Sequence, residues 1–137
     1  MADTQTLMKS RLFAMGIAVS DLEVSTAFYR DVLGLEEVNR ISLPNMEEVV
    51  LQYPGADHKV VLMKFTDGKD RNVTRLPVKL VFQFADVMAT AQAIREAGYP
   101  VIKEPERVPE IHNAIIGFAR DPDGYLIELL QSYTPAE

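Results

Sequence analysis

GFARDPDGYLIELLQ, residues 117–131, is the stretch that decides the fold. In Asp121-Pro122-Asp123-Gly124 proline stands second and glycine fourth, the order a type I turn prefers. Apolar residues flank the turn on both sides, so strands at 114–120 and 125–131 are expected to form a hairpin. Upstream, Gly98 closes a helical stripe of Val87, Ala91, Ile94 and Ala97 that starts at the N-cap residue Asp86. Further strands are expected at 78–84, before that helix, and at 99–103, after it. The order is strand, helix, then three strands.

The first half of the chain repeats this order. A strand is expected at 11–19, after which Ser20 and Asp21 both offer N-caps and Ser20 with Glu23 has capping-box spacing. Leu22, Thr26, Tyr29, Val32 and Leu33 recur at helical spacing, and Gly34 ends the helix. Strands follow at 36–42, 48–53 and 59–65, and 66–77, with Gly68, several charges and Pro77, reads as a connector. Asp21 and Asp86 stand 65 positions apart, as do Arg30 and Arg95, and the same offset aligns the helical stripes. One offset that aligns caps, charges and stripes indicates an internal repeat. The chain therefore reads as one α+β domain, 1–137, made of two βαβββ modules with mixed sheets, 11–65 and 78–131. Each helix covers one face of its sheet. The other faces must pair into a cup or barrel-like cavity, within the chain or between subunits, and a homodimer is expected.

Composition narrows the function classes. The 137 residues are 47% hydrophobic and 25% charged, ordinary for a globular chain, with a net charge of -6. This acidic balance, without a lysine or arginine cluster, argues against nucleic acid and against an anionic membrane surface. No cysteine is present, which excludes disulfides and thiolate chemistry. No apolar run has the length of a signal peptide core or a membrane span, so a cytoplasmic location is the expectation.

Two stretches, DLEVSTAFYRDVLGL at 21–35 and GFARDPDGYLIELLQ at 117–131, resemble the first helix and the closing hairpin of the vicinal-oxygen-chelate superfamily, which includes glyoxalases, bleomycin-resistance proteins and ring-cleaving dioxygenases. The resemblance implies the paired βαβββ fold and, in the metal-dependent families, four ligands on the cup side of the sheets. Matched to the glyoxalase I pattern, those positions fall at Ala14, Met63, Lys79 and Glu128. The repeat offset independently relates Ala14 to Lys79 and Met63 to Glu128. Only Glu128 is a ligand of the expected kind: alanine has no donor, a thioether suits copper(I), and an ammonium repels a cation. The neighbours Phe13, Met15, Leu62, Lys64, Val78 and Leu80 supply no histidine or carboxylate either. No resident cofactor is expected, and a divalent metal is disfavoured. His58 and His112 read as loop residues, His112 near the cavity mouth.

Strand alternation assigns the faces. The cup receives Ala14, Gly16 and Ala18, then Val61, Met63 and Phe65, then Lys79, Val81 and Gln83, then Leu126, Glu128 and Leu130. Met15, Ile17, Val19, Leu80, Phe82, Phe84, Ile127 and Leu129 face the core. Phe65 is the one aromatic side chain assigned to the cup. Such a cup, apolar with an amine, a carboxylate and an amide, suits a small organic ligand. Three functions fit. One is a glyoxalase-like lyase or isomerase acting on a small oxygenated molecule without metal, Glu128 moving a proton and Lys79 stabilising negative charge. A second is a non-catalytic sequestering protein of the bleomycin-resistance type. The third is a metal-dependent glyoxalase or dioxygenase with atypical ligands. Lys79 and Glu128 are expected to meet across neighbouring strands as a buried pair.

Overall fold

A computed structural model describes residues 11–69 and 78–133. The first module runs β1 (Ala14–Ala18), α1 (Leu22–Ala27), a π-helical turn (Phe28–Val32), β2 (Glu36–Leu43), β3 (Met46–Gln52) and β4 (Lys59–Phe65). The second runs β5 (Lys79–Gln83), α2 (Val87–Glu96), β6 (Val101–Val108), a short 3₁₀ turn (Pro109–Ile111), β7 (Ala114–Arg120) and β8 (Leu126–Gln131). The sheets have the orders β1-β4-β3-β2 and β5-β8-β7-β6. In each, the first strand pairs parallel to the last, because the helix carries the chain across, and the other pairs are antiparallel. The expected α+β fold of two βαβββ modules is the one found.

Both helices start at an aspartate. The Asp21 carboxylate accepts from the Val24 amide and the Asp86 carboxylate from the Ala89 amide, each at 3.1 Å. Ser20, the other candidate cap, is occupied elsewhere: its amide donates to Asp123 at 3.0 Å. Gly34 and Gly98, at φ 85° and 91°, end the two helical segments with amides bonded to Arg30 and Arg95 carbonyls. The first segment is not one α-helix as expected, since it widens to a π turn from Phe28.

Buried Tyr29, Phe28, Val87, Ala91 and Ile94 of the helical layer meet Ile17, Val49, Leu51, Leu62, Leu80, Phe82, Ile127 and Leu129 of the sheets in one core. The modules share it: the Phe28 ring meets Tyr99 edge-on at 4.9 Å, and Tyr53 meets Phe82 at 6.3 Å. Burial of apolar area on this scale is the main stabilising term.

Three expectations need correction. Met15 is 51% exposed, not core, although Ile17 and Val19 of the same alternation are buried. The strand expected at 99–103 runs instead from Val101 to Val108, through two register shifts, the second of which spans Pro105. There Pro105 lies so close over Gly117 that a Cβ on the glycine would stand 2.9 Å from the Pro105 Cγ. The connector is described only up to Lys69; 70–77 lie outside the described residues. Among the described residues no helix is long and apolar enough to cross a membrane.

Candidate functional site

The open faces of the two sheets carry the residues singled out from the sequence. In the first sheet β1 runs beside β4 with Ala14 opposite Lys59, Gly16 opposite Val61 and Ala18 opposite Met63. Alternation puts Ala14, Gly16, Val61, Met63 and Phe65 on one face, away from buried Leu62. The Met63 thioether folds over Gly16, where an added Cβ would meet its Sδ and Cε at 3.2 Å. A side chain at position 16 would displace the flexible end of Met63.

In the second sheet Lys79, Gln83, Leu126 and Glu128 share the corresponding face. Lys79 Nζ donates to Glu128 Oε1 at 2.7 Å, so the expected pair forms. Its burial differs from expectation. The Glu128 side chain is 11% exposed and that of Lys79 53%. Lysine reaches the carboxylate with a long stem from the edge strand β5 and keeps its ammonium in contact with solvent. A lysine ammonium has three donors, and the bond to Glu128 uses one. Gln83, at the end of β5, gives its amide to the Ser132 hydroxyl at 2.7 Å.

Two further residues belong to these faces. Phe118 is directly opposite Glu128 in the β7–β8 hairpin and half-buried. It corrects the view of Phe65 as the one aromatic of the cup. Counting outward from the DPDG turn would have found it, since hairpin register follows from the turn. Glu48, half-buried, is opposite Met63. The connection from β3 to β4 is longer than a two-residue hairpin loop and contains a turn at Tyr53–Ala56, so its register could not be counted from the turn alone.

A buried polar cluster, also unanticipated, ties the modules together. Tyr29 of the π turn donates its hydroxyl to Asp121 at 2.7 Å. The other Asp121 oxygen accepts the amides of Asp123 and Tyr125 at 2.9 and 2.8 Å. The Tyr125 hydroxyl in turn reaches the Ala18 carbonyl at 2.8 Å. Burial raises the Asp121 carboxyl above its ordinary value although these donors oppose the shift. Burial, reinforced by the nearby Asp121 carboxylate, also raises the Tyr29 phenol well above its own. The DPDG turn is thus an inter-module clamp as well as a hairpin. His58 is exposed with Nδ1 3.1 Å from the Leu12 carbonyl, and His112 is an exposed residue at φ 51°.

The four ligand positions do not fit a divalent cation. They hold a methyl, a thioether, an ammonium and one carboxylate, and the ammonium is already bonded to that carboxylate. Among the described residues no group of three or more histidine, aspartate or glutamate side chains could hold one elsewhere.

Comparison with known proteins agrees with this fold. The family model for the Glyoxalase/Bleomycin resistance protein/Dioxygenase superfamily matches residues 11–129. A probable lactoylglutathione lyase of Synechocystis sp. is 31% identical over 122 residues, 85% of this chain and 91% of that protein. The structure of the trypanothione-dependent glyoxalase I of Leishmania major superposes with a TM-score of 0.71 at 25% identity, covering 90% of this chain and 87% of that one. An antibiotic-binding protein from Streptomyces sp. CB03234 superposes with a TM-score of 0.74 at 23% identity, covering 93% and 99% of the respective chains.

Proposed function

The chain belongs to the Glyoxalase/Bleomycin resistance protein/Dioxygenase superfamily, and from that premise we propose that it binds and transforms a small oxygenated organic molecule in a cup without a resident divalent metal. The observation that carries this reading is the 2.7 Å bond between Lys79 and Glu128, at two of the positions the family resemblance gives to metal ligands. The spare donors of Lys79 Nζ would receive a carbonyl, enolate or phenolate oxygen and stabilise negative charge developing on it. Glu128, low in the cup beside Phe118, would take or return a proton on the adjacent carbon. Ala14, Gly16, Val61, Met63, Phe65 and Leu126 would supply apolar walls, and Gln83 an amide at the rim.

The open faces support closure by a second copy. Val81 is 49% exposed, and Gly16, Lys79 and Gln83 are exposed as well. Sedimentation should therefore give twice the chain mass, whereas a monomer at every concentration would refute pairing between subunits.

A second reading, sequestration without turnover, is favoured by one observation, the aromatic Phe118 beside Glu128. Isotope exchange separates the two. A panel of α-hydroxyketones and phenols is screened by ligand-observed NMR in D₂O, and bound ketones are followed for loss of the proton next to the carbonyl. Turnover predicts exchange that Glu128→Gln abolishes while binding persists; sequestration predicts binding with no exchange. Binding that survives Lys79→Met with Glu128→Leu unchanged would place the ligand elsewhere and overturn both. Elemental analysis supplies the metal test. Protein purified without chelator should carry well under one equivalent of zinc, nickel, manganese or iron, and a stoichiometric metal lost in Glu128→Ala would refute the metal-free cup.

A further inference from the structure

A cleft of about 480 Å³ opens at one end of the second sheet, lined by Gln83, Phe84, Arg107, Ile115, Ser132 and Tyr133 among others. Its lining contains neither Lys79 nor Glu128, although Gln83 shares their face. Ile115 is opposite Gln131, and alternation along β8 turns Gln131 to the face opposite Glu128. The volume is within the usual range for small-molecule sites, about 300–1,000 Å³.

The polar groups around this cleft are unevenly satisfied. Gln83 and Ser132 bond each other at 2.7 Å. Arg107 donates through Nη1 to the Asn113 carbonyl at 2.9 Å, and its guanidinium carbon lies 5.2 Å from the centre of the Tyr133 ring. Among the described residues no carboxylate pairs with Arg107, whereas Arg30, Arg40 and Arg95 each have one. A guanidinium offers five N–H donors in a planar fork that matches a carboxylate, and stacking on an aromatic ring restricts its orientation. Phe84 and Ile115, both half-buried, add apolar surface to the same cleft.

We propose that this cleft is a second small-molecule site, selective for a compact aromatic carboxylate whose charge pairs with Arg107 and whose ring rests among Phe84, Ile115 and Tyr133. The site shares Gln83 with the rim of the cup but contains neither Lys79 nor Glu128. The class follows from the lining: the fork selects a planar anion, the walls select an apolar body, and the volume limits the size.

Benzoate is the probe, with benzamide as its neutral counterpart, titrated into the full chain and followed by ¹H–¹⁵N spectra. Benzoate should shift the amides of Arg107, Ile115 and Ser132 to saturation and bind about tenfold more tightly than benzamide, the worth of one charge-assisted contact. Arg107→Gln should remove that preference, and Arg107→Lys, which keeps the charge without the fork, should restore only part of it. Arg107 is exposed, so both variants should retain the native spectrum. Lys79→Met should leave the benzoate titration unaltered. Equal affinity for the two probes, an undiminished preference in Arg107→Gln, or loss of benzoate binding in Lys79→Met would each overturn the proposal.

Discussion

The two modules share a frame and differ in what they bury. At equivalent positions 65 residues apart, Tyr29 matches Ile94, Thr26 matches Ala91, and Asp121 matches Ala56. The second helix, α2, is a regular α-helix that buries Val87, Ala91 and Ile94, all apolar. The first buries three hydroxyl-bearing side chains, Ser25, Thr26 and Tyr29, and widens into a π turn where Tyr29 sits. The difference shows that the caps, stripe and strand order tolerate buried polarity and that the other module can supply a partner, as Asp121 does for Tyr29. The open faces show the reverse arrangement. Charge at the ligand positions is confined to the second module, where Lys79 and Glu128 satisfy each other, while the first offers Ala14 and Met63. Both charges at the four matched positions thus lie in one module, bonded to each other.

The largest break in the comparison should come from Tyr29→Phe, which makes the first helix as apolar at this position as the second. Asp121, 3% exposed, would lose the one side-chain donor it has among the described residues, at a cost of about 1–3 kcal/mol. Denaturant unfolding measures this, and an unchanged midpoint would show that the clamp does not stabilise. The variant should also change the alkaline limb. Unfolded tyrosines release their protons near the ordinary value of 10.0, while burial holds the Tyr29 phenol well above it and Tyr125 up to about 12. The unfolded chain therefore binds fewer protons above that value, so stability is fully present below about pH 10 and is lost as pH rises further. Tyr29→Phe should shallow this loss without abolishing it, because Tyr125 still contributes.

Next in size is the pair in the cup. Lys79→Met leaves Glu128 buried without its cation and should cost about 1–2 kcal/mol, less than a fully buried pair because the lysine is half exposed. Adding Glu128→Leu should recover most of it. If the double variant is no more stable than Lys79→Met alone, the pair is not what holds Glu128 in place.

Much of this comparison was legible in the sequence. Periodicity and caps mark positions whose reasons are local, so Asp21, Asp86, Gly34, Gly98 and the DPDG turn could be placed by inspection. Once the family resemblance had turned Lys79 and Glu128 toward the cup, alternation filled in the rest of that face, because a strand turns residues two apart to the same side. The remainder depended on distances between segments. Nothing within 21–35 reveals that Tyr29 would meet Asp121, 92 residues later. The π turn and the shifts around Pro105 arise where one element adjusts to another. Met15 alternates correctly yet is exposed, since alternation gives a face and not which part of that face is covered.

Thr26→Val should bring the helices closer together in a smaller and opposite sense. Among the described residues, Thr26 Oγ1 is buried with no hydrogen-bond partner, while Ala91 at the matching position has nothing to satisfy. Valine keeps the shape and removes the orphaned hydroxyl. A gain of about 1 kcal/mol is expected in the midpoint of denaturant unfolding. A loss instead would mean that the hydroxyl is hydrogen-bonded in solution.

Gly16→Ala tests the open face of the first module, where the expected effect on stability is the smallest. The new Cβ would stand 3.2 Å from Met63 Sδ and Cε, tighter than ordinary contact. These atoms end a flexible side chain that can rotate away at little cost. Alanine also restricts the unfolded chain more than glycine does, a gain of about 0.4–1 kcal/mol where the backbone conformation suits it, and φ at Gly16 is not positive. The two terms oppose each other, so stability should stay within about 0.5 kcal/mol of the parent. Ligand binding should respond more strongly, because displaced Met63 and the added methyl both enter the space above the first sheet. Weakened binding of a cup ligand at unchanged stability would show that both modules line one cavity. Binding equal to the parent would confine the ligand to the Lys79–Glu128 half.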